Sequence, residues 1–350
     1  MERIPGWNDY WEAQLESIEL ENKTAARVSR DLGHRFELLT LKGLYAGKLS
    51  GKFRFRNTES EEQPVTGDFV VGRISDELFI IEQVLFRRSS LFRVRPGTRR
   101  VQMLAANVDN VFVVTCPDND FSLERIERYV FQAWEGKAHP VIVINKSDKT
   151  EDIREYEEKV FMAIPGVDVI SISAKEGHKI ERLDKYVCDD RTIVLVGSSG
   201  VGKSTIINRI IGEDVTVTSE IRESDSKGRH TTTGRELFVG KHGTVIIDTP
   251  GLRELQISGD QDSLNRSFPE MTLLAEKCRF RDCTHTVEPD CAVLQALEEG
   301  DITQKMFDNY HKLKKEMNHV RLKEDPVHSG NSKKKFKWIS KKSRDIKSLK

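Results

Sequence analysis

The chain has 350 residues, of which 32% are charged and 37% hydrophobic, a polar composition that still supplies packed cores and excludes wholesale disorder. At about 100–200 residues per domain, this length predicts two or three domains. Basic and acidic residues number 56 each, which excludes a histone-like or polyanionic character for the whole molecule. The polar N-terminus and the lack of an apolar run of about 18 residues predict a cytoplasmic protein with no membrane partner.

The N-terminal third of the chain predicts an arm followed by a β-barrel. Residues 1–34 form the predicted arm, in which Trp7, Trp11 and Leu15 lie at mixed helical spacing and favour a short amphipathic helix. Residues 35–100 carry short alternating runs broken by glycine, a pattern typical of the strands of an OB-type barrel. The predicted strands are 36–41, 48–56, 69–74 and 78–84.

One of these runs, residues 52–56, alternates phenylalanine with basic side chains. As a strand it places Phe53 and Phe55 on one face and the three bases on the other. A barrel strand with a solvated cationic face has this pattern, and so does the RNA-binding face of an OB-type barrel. Both interpretations stay open at this point.

Residues 101–258 predict an α/β domain, because short apolar strands alternate with helix-length polar segments. Strands that are apolar on both faces indicate a mostly parallel sheet covered by helices. Ser122 is a predicted helix start. The predicted strands are 111–114, 141–144, 167–172, 193–196 and 245–247.

The strand at 193–196 runs into the sequence GSSGVGKST, which predicts a phosphate-binding loop. Glycine lets the backbone N–H groups approach phosphate oxygens. Lys203 is placed to reach the β- and γ-phosphates, and the Ser204 hydroxyl to bind Mg²⁺. The predicted phosphate-binding residues are Gly197, Ser198, Ser199, Gly200, Val201, Gly202, Lys203, Ser204 and Thr205.

Two motifs that follow other strands, NKSD and SAK, predict selectivity for guanine. The Asp148 carboxylate can accept two hydrogen bonds from guanine that adenine cannot donate. The Lys146 stem can lie over the base, and the Ala174 N–H can donate to its O6. The predicted guanine-binding residues are Asn145, Lys146, Ser147, Asp148, Ser173, Ala174 and Lys175.

The strand at 245–247 ends in DTPG, where Asp248 is suited to support Mg²⁺ binding and the Gly251 N–H to contact the γ-phosphate. Since α/β sheets hold ligands at the carboxyl ends of their strands, the four motifs predict one site for GTP and GDP. Their order is NKSD, SAK, phosphate loop, DTPG, whereas ordinary GTPases begin with the phosphate loop. The order predicts a circularly permuted P-loop GTPase, because permutation preserves a site in three dimensions.

The polar, glycine-bracketed segment 224–234 predicts a switch loop that closes over the γ-phosphate. Thr232 is the favoured Mg²⁺ ligand of its threonines. Leu252 occupies the position where many GTPases carry the glutamine that orients water, and leucine cannot do this. His230 is the nearest catalytic candidate, with a solvated loop histidine as the alternative. The catalytic prediction is therefore His230, Lys203 and Thr232, with slow hydrolysis that awaits an activator.

The C-terminal part predicts an α-helical zinc-binding domain over 259–325 and a basic tail over 326–350. Three cysteines and one histidine make a closed tetrahedral set that suits one structural Zn²⁺, and buried free cysteines are the alternative. The set is Cys278, Cys283, His285 and Cys291. The last twenty residues carry nine bases and one acid, a local charge of +8 that fits a solvated tail or a polyanion-binding one.

These motifs together resemble the ribosome small-subunit-dependent GTPase A family (RsgA, also called YjeQ) over nearly the whole chain. The resemblance implies a monomeric GTP hydrolase that forms GDP and phosphate, binds the small (30S) ribosomal subunit and its 16S rRNA, and assists late maturation. Barrel and zinc domain would contact the RNA, and the subunit would accelerate hydrolysis. The alternatives are a nucleotide-gated RNA-binding scaffold with incidental hydrolysis and a GTP-dependent metal chaperone.

Overall fold

The computed structural model describes residues 3–56, 60–94, 101–118, 121–188, 190–212, 235–240, 243–248 and 261–323. Within them the chain forms an N-terminal barrel, a central α/β domain and a C-terminal helical domain, which confirms the predicted multidomain fold. The exact boundaries between these domains stay predictions. No helix in this described part of the chain is both long and apolar enough to cross a membrane.

The N-terminal domain is a closed five-stranded barrel with the order β1-β2-β3-β5-β4, in which β4 pairs back onto β1. Strands β3 and β5 are parallel, and the other pairs are antiparallel. Inward-facing apolar side chains such as Val28, Leu38 and Phe79 fill it, which confirms the OB-type barrel. The strands are β1 (Thr24–Asp31), β2 (Phe36–Thr40), β3 (Gly43–Leu49), β4 (Phe69–Ser75) and β5 (Leu78–Val84).

Strand β1 was not predicted, and it lies within residues 1–34, which were predicted as an arm. Its burial is unusual, because Arg27 and Ser29 are buried together with the apolar residues, and two polar side chains hide the alternation that marks a strand. The predicted amphipathic helix is present as α1 (Asp9–Leu15). Trp7 and Trp11 pack against Phe69 of the barrel.

The prediction of a strand over 48–56 is wrong beyond Leu49, because helix α2 (Gly51–Arg56) follows β3. The Ser50 hydroxyl accepts the Phe53 N–H at 3.1 Å, a helix-capping bond that an extended backbone could not make. Helical geometry separates the two aromatic rings that were expected on one face. Phe53 is 5% exposed, whereas Phe55 is 87% exposed.

The hairpin of β6 (Ser90–Val94) and β7 (Val101–Ala106) leads into the α/β domain, whose sheet has the order β10-β9-β8-β11-β13-β12. The first five strands are parallel, and β12 is antiparallel. Apolar clusters cover both faces, as the two-sided apolar strands predict. The strands are β8 (Asn110–Thr115), β9 (His139–Ile144), β10 (Asp168–Ser171), β11 (Thr192–Val196), β12 (Glu236–Val239) and β13 (Val245–Asp248).

Among the described residues, three helices flank this sheet, namely α3 (Leu123–Glu135), α4 (Ile153–Ala163) and α5 (Lys203–Ile211). The Ser122 hydroxyl caps α3 by accepting the Arg125 N–H at 3.3 Å, which confirms the predicted helix start. At the junction with the barrel, the buried Arg27 donates to Pro5 O at 2.7 Å and Thr192 Oγ1 at 2.8 Å. Burial lowers the pKa of Arg27 to about 10, so this guanidinium stays charged near neutral pH and fastens the barrel to β11.

The C-terminal domain consists of α6 (Gln261–Ser267), α7 (Pro269–Ala275), α8 (Ala292–Glu299) and α9 (Gln304–Lys323). Its apolar core includes Phe131 of α3, which is completely buried. Asn309 Nδ2 also donates to Glu127 Oε2 of α3 at 2.6 Å. The helical domain therefore packs directly on a helix of the α/β domain.

Candidate functional site

The predicted phosphate loop lies between the carboxyl end of β11 and the start of α5. Gly197 has φ +142°, and Gly202 has φ +98° where α5 begins. A Cβ on Gly197 would lie 2.1 Å from Val114 O, so only glycine fits. The amides that open α5 have no intrahelical acceptors, and such a helix start favours an anion.

Lys203 lies inside this loop and contributes its positive charge to it. Its ammonium donates to Gly197 O at 2.9 Å and to Ser198 O at 2.7 Å. Ser204 and Thr205 are exposed in the first turn of α5. Arg125 of α3 donates to the Ser198 hydroxyl. A cation, a hydroxyl and helix-terminal amides thus lie where the sequence predicts phosphate and Mg²⁺.

Asn145 joins three of the predicted motifs through one buried side chain. It is 2% exposed, its Nδ2 donates to Val201 O at 2.8 Å, and its Oδ1 accepts the Ala174 N–H at 3.0 Å. A Cβ on Gly202 would lie 2.2 Å from Asn145 Nδ2, so the phosphate loop must have glycine beside it. The NKSD, SAK and phosphate-loop segments are therefore held together at one edge of the sheet.

Asp148 is exposed at this edge, beyond the end of β9. Its carboxylate accepts a hydrogen bond from the Ser173 hydroxyl, and this bond lowers the pKa of Asp148. The Ser147 N–H donates to Ile172 O at 3.0 Å and fixes the NKSD turn against β10, while Lys146 adopts a left-handed backbone with φ +59°. An ionised carboxylate at this place can accept hydrogen bonds from the guanine N1–H and 2-amino group.

The Ala174 N–H, which was predicted to donate to guanine O6, donates to Asn145 in this structure. Its role toward O6 stays a prediction. The Ala174 carbonyl accepts from Arg209 Nε at 2.9 Å, and the Lys175 carbonyl accepts from Arg209 Nη2 at 2.8 Å. Arg209 was not among the predicted site residues, because an arginine that binds backbone carbonyls of a distant loop belongs to no motif.

Asp248 is the last residue of β13, which is parallel to the neighbouring β11, so it lies at the same edge of the sheet as the phosphate loop. The rest of the DTPG motif, with Gly251, lies outside the described residues. So do Leu252, the segment 224–234 with His230 and Thr232, and the tail 326–350. The structure thus brings together Asp248, the phosphate loop and both guanine motifs.

The four predicted zinc ligands form one cluster in the helical domain, and their ligand atoms all lie within 4.8 Å of one another. Cys278 Sγ is 3.8 Å from Cys291 Sγ and 3.6 Å from His285 Nδ1, and Cys291 Sγ is 3.5 Å from the same nitrogen. A tetrahedral zinc with ordinary Zn–S and Zn–N bonds requires edges of roughly 3.5–3.8 Å. The donor set and its spacing therefore fit Zn²⁺.

Comparison with known proteins gives matches to one family. The model of the RsgA GTPase family matches residues 84–258. The small ribosomal subunit biogenesis GTPase RsgA of Opitutus terrae is 39% identical over 334 residues, which cover 92% of this chain and 91% of that protein. The protein of the same name from Methanosarcina acetivorans is 38% identical and covers 90% of this chain and 85% of its own length.

Two solved structures share the fold. YjeQ from Thermotoga maritima superposes with a TM-score of 0.63 at 27% identity and covers 84% of this chain and 98% of its own. YloQ, described as a circularly permuted GTPase, has a TM-score of 0.61 at 24% identity and covers 88% of this chain and 98% of its own. The motif order and the sheet of this chain agree with that permuted fold.

Proposed function

Because this chain belongs to the RsgA GTPase family, it is a GTP hydrolase, and we propose that it acts in the biogenesis of the small ribosomal subunit. The observation that carries the proposal is the meeting of the phosphate loop with both guanine motifs around Asn145, in a chain that also has a Cys₃His cluster. Relatives that are similar over most of this chain are named for that process.

Each group at the sheet edge has a distinct task toward GTP. The phosphate-loop amides and Lys203 hold the β- and γ-phosphates, while Asp148 reads the N1–H and 2-amino group of guanine. Ser204 and Thr232 would hold Mg²⁺, and Asp248 would support that site. When bound, Mg²⁺ neutralises charge on the β- and γ-phosphate oxygens.

Hydrolysis by the isolated protein is slow in this proposal, because Leu252 cannot orient an attacking water. His230 takes that part when the small subunit is bound. Its imidazole can accept a hydrogen bond from the water or donate one to a phosphate oxygen. The subunit therefore acts as the activator, and GTP hydrolysis is coupled to its presence.

Zinc is a structural ion in this proposal, held by Cys278, Cys283, His285 and Cys291. Four protein ligands complete a tetrahedron and leave no coordination position for substrate. This closed set disfavours a metal chaperone, which would have to release its ion readily.

We further propose that the barrel contacts 16S rRNA through α2. This helix carries the exposed Phe55 ring together with the exposed cations Lys52 and Arg54. An exposed aromatic ring can stack on an unpaired base, and flanking cations attract the phosphate backbone. The protein would then act as a monomer in the cytoplasm, where the subunit is its partner.

The test is co-sedimentation of the purified chain with small subunits, large subunits or neither, in GTP, GDP or a non-hydrolysable GTP analogue. We expect selective binding to small subunits that depends on the nucleotide and weakens as salt rises, since RNA phosphates exchange counterions for the protein. Equal binding to both subunits would contradict the proposal. Tight GTP-dependent binding without any change in turnover would favour the scaffold alternative.

A further inference from the structure

Helix α5 connects the phosphate loop to the SAK segment through Arg209. The helix begins with Lys203 of the phosphate loop, and Arg209 follows six residues later. Its buried side is entirely apolar and anchors it to the sheet, so the exposed Arg209 starts from a fixed backbone. The anchoring residues are Ile206, Ile207, Ile210 and Ile211.

Arg209 binds two successive carbonyls with two donors of one guanidinium. Nε donates to Ala174 O at 2.9 Å and Nη2 to Lys175 O at 2.8 Å. The guanidinium is rigid and planar, so two bonds from one group fix orientation as well as position. A lysine at this place could not reproduce the pair, because its ammonium is a single point of donation.

These bonds also fix the N–H groups of the SAK loop. The structure has no cis peptide bond in the described residues, and a trans peptide holds its C=O and N–H in opposite directions. Binding of the Ala174 carbonyl by Arg209 therefore directs the Lys175 N–H away from α5. Since Asn145 binds the Ala174 N–H at 3.0 Å, both backbone groups of Ala174 are held by side chains from other segments.

We propose that Arg209 is a positioning residue for guanine recognition, which orients the SAK peptides so that a backbone N–H can donate to the base carbonyl O6. The inference rests on the proposed nucleotide site. Arg209 itself touches no reacting atom, so its loss should weaken nucleotide binding and leave the rate of the bound complex unchanged. Loss of hydrogen bonds from one exposed cation corresponds to about a three- to tenfold weaker affinity for GTP.

The experiment compares Arg209→Ala with the unsubstituted protein in titrations with three triphosphates. GTP and ITP carry O6, whereas 2-aminopurine riboside triphosphate lacks it. We expect Arg209→Ala to weaken the binding of GTP and ITP by the same factor and to change the affinity for 2-aminopurine riboside triphosphate by no more than about twofold. The substitution should also raise KM for GTP at constant intrinsic kcat. The GTP affinity of Arg209→Lys should lie between those of the unsubstituted protein and Arg209→Ala, because lysine keeps the charge and loses the paired donors of the guanidinium.

Arg73→Ala is the matched control, since it removes another exposed arginine, from β4 of the barrel, and should change none of these values. Equal weakening of all three nucleotides with a lowered Tm would mean a merely structural role and would overturn the inference. Unchanged GTP affinity in Arg209→Ala would overturn it as well. If the unsubstituted protein failed to prefer GTP over ATP, the nucleotide site itself would be wrong, which distinguishes the two failures.

Discussion

Replacing Asn145 by alanine should remove the hydrogen bonds that hold the SAK segment and the phosphate loop together. The side chain is 2% exposed, and its loss leaves Val201 O and the Ala174 N–H without the bonds of 2.8 and 3.0 Å that they now make. A buried polar group left unpaired costs about 1–3 kcal/mol, so the two together cost roughly 2–6 kcal/mol. This cost is divided between the free energy of unfolding and the binding of nucleotide.

The assay is a titration with fluorescent GDP, together with urea unfolding of the nucleotide-free protein. We expect affinity to fall at least tenfold, about 1.4 kcal/mol of the total, with the rest seen in stability. Asn145→Asp should bind nucleotide no more tightly than Asn145→Ala, because its carboxylate would face the Val201 carbonyl. Asn309→Ala removes an amide hydrogen bond outside the site and should leave affinity unchanged. An Asn145→Ala protein with wild-type affinity and stability would show that Asn145 does not hold these segments together.

Three further substitutions test the other assignments. Asp148→Asn should weaken GTP by roughly 3–6 kcal/mol through two lost bonds to an ionised acceptor and favour xanthine nucleotides, whose C2 carbonyl accepts from the new amide; unchanged GTP affinity by titration would remove Asp148 from the site. Cys283→Ala should lose the single zinc ion and the local fold, because metal binding and folding are coupled, and it should keep nucleotide binding. Elemental analysis measures the zinc content. Metal-free wild-type protein prepared without chelator would refute the zinc assignment. Phe55→Ala should weaken subunit binding by about 1–3 kcal/mol for one lost base stack, whereas Phe161→Ala, which removes another exposed ring, should not. Equal effects of the two substitutions on co-sedimentation would contradict the proposed contact between α2 and 16S rRNA.

The α/β domain could be predicted from sequence because its strands are buried on both faces. A short, β-branched apolar run such as 141–144 indicates a buried strand, and each nucleotide motif follows an apolar run of this kind. The strand ends therefore indicated where Asp148, Lys203 and Asp248 would meet. Ser122 could be identified because its capping bond is local.

The parts that could not be predicted depend on contacts distant in sequence. Arg27 is buried in β1 because it binds Pro5 and Thr192, and those partners cannot be inferred from the strand itself. The alternation around Phe53 fits a strand as well as a short helix, and the bond from Ser50 decides between them. Arg209 binds carbonyls 34 and 35 residues away, and any residue type supplies a carbonyl.

In the proposed function, the small ribosomal subunit activates GTP hydrolysis by this protein. Multiple-turnover phosphate release measures it directly, with small subunits, large subunits or neither, for wild type and His230→Ala. We expect small subunits alone to accelerate the wild type, by a factor of ~10³ or more if they complete the environment of the attacking water. His230→Ala should lose most of that stimulation and keep its affinity for nucleotide and subunit. Equal wild-type rates in all three conditions would contradict activation by the small subunit, and full stimulation of His230→Ala would contradict the role of that histidine.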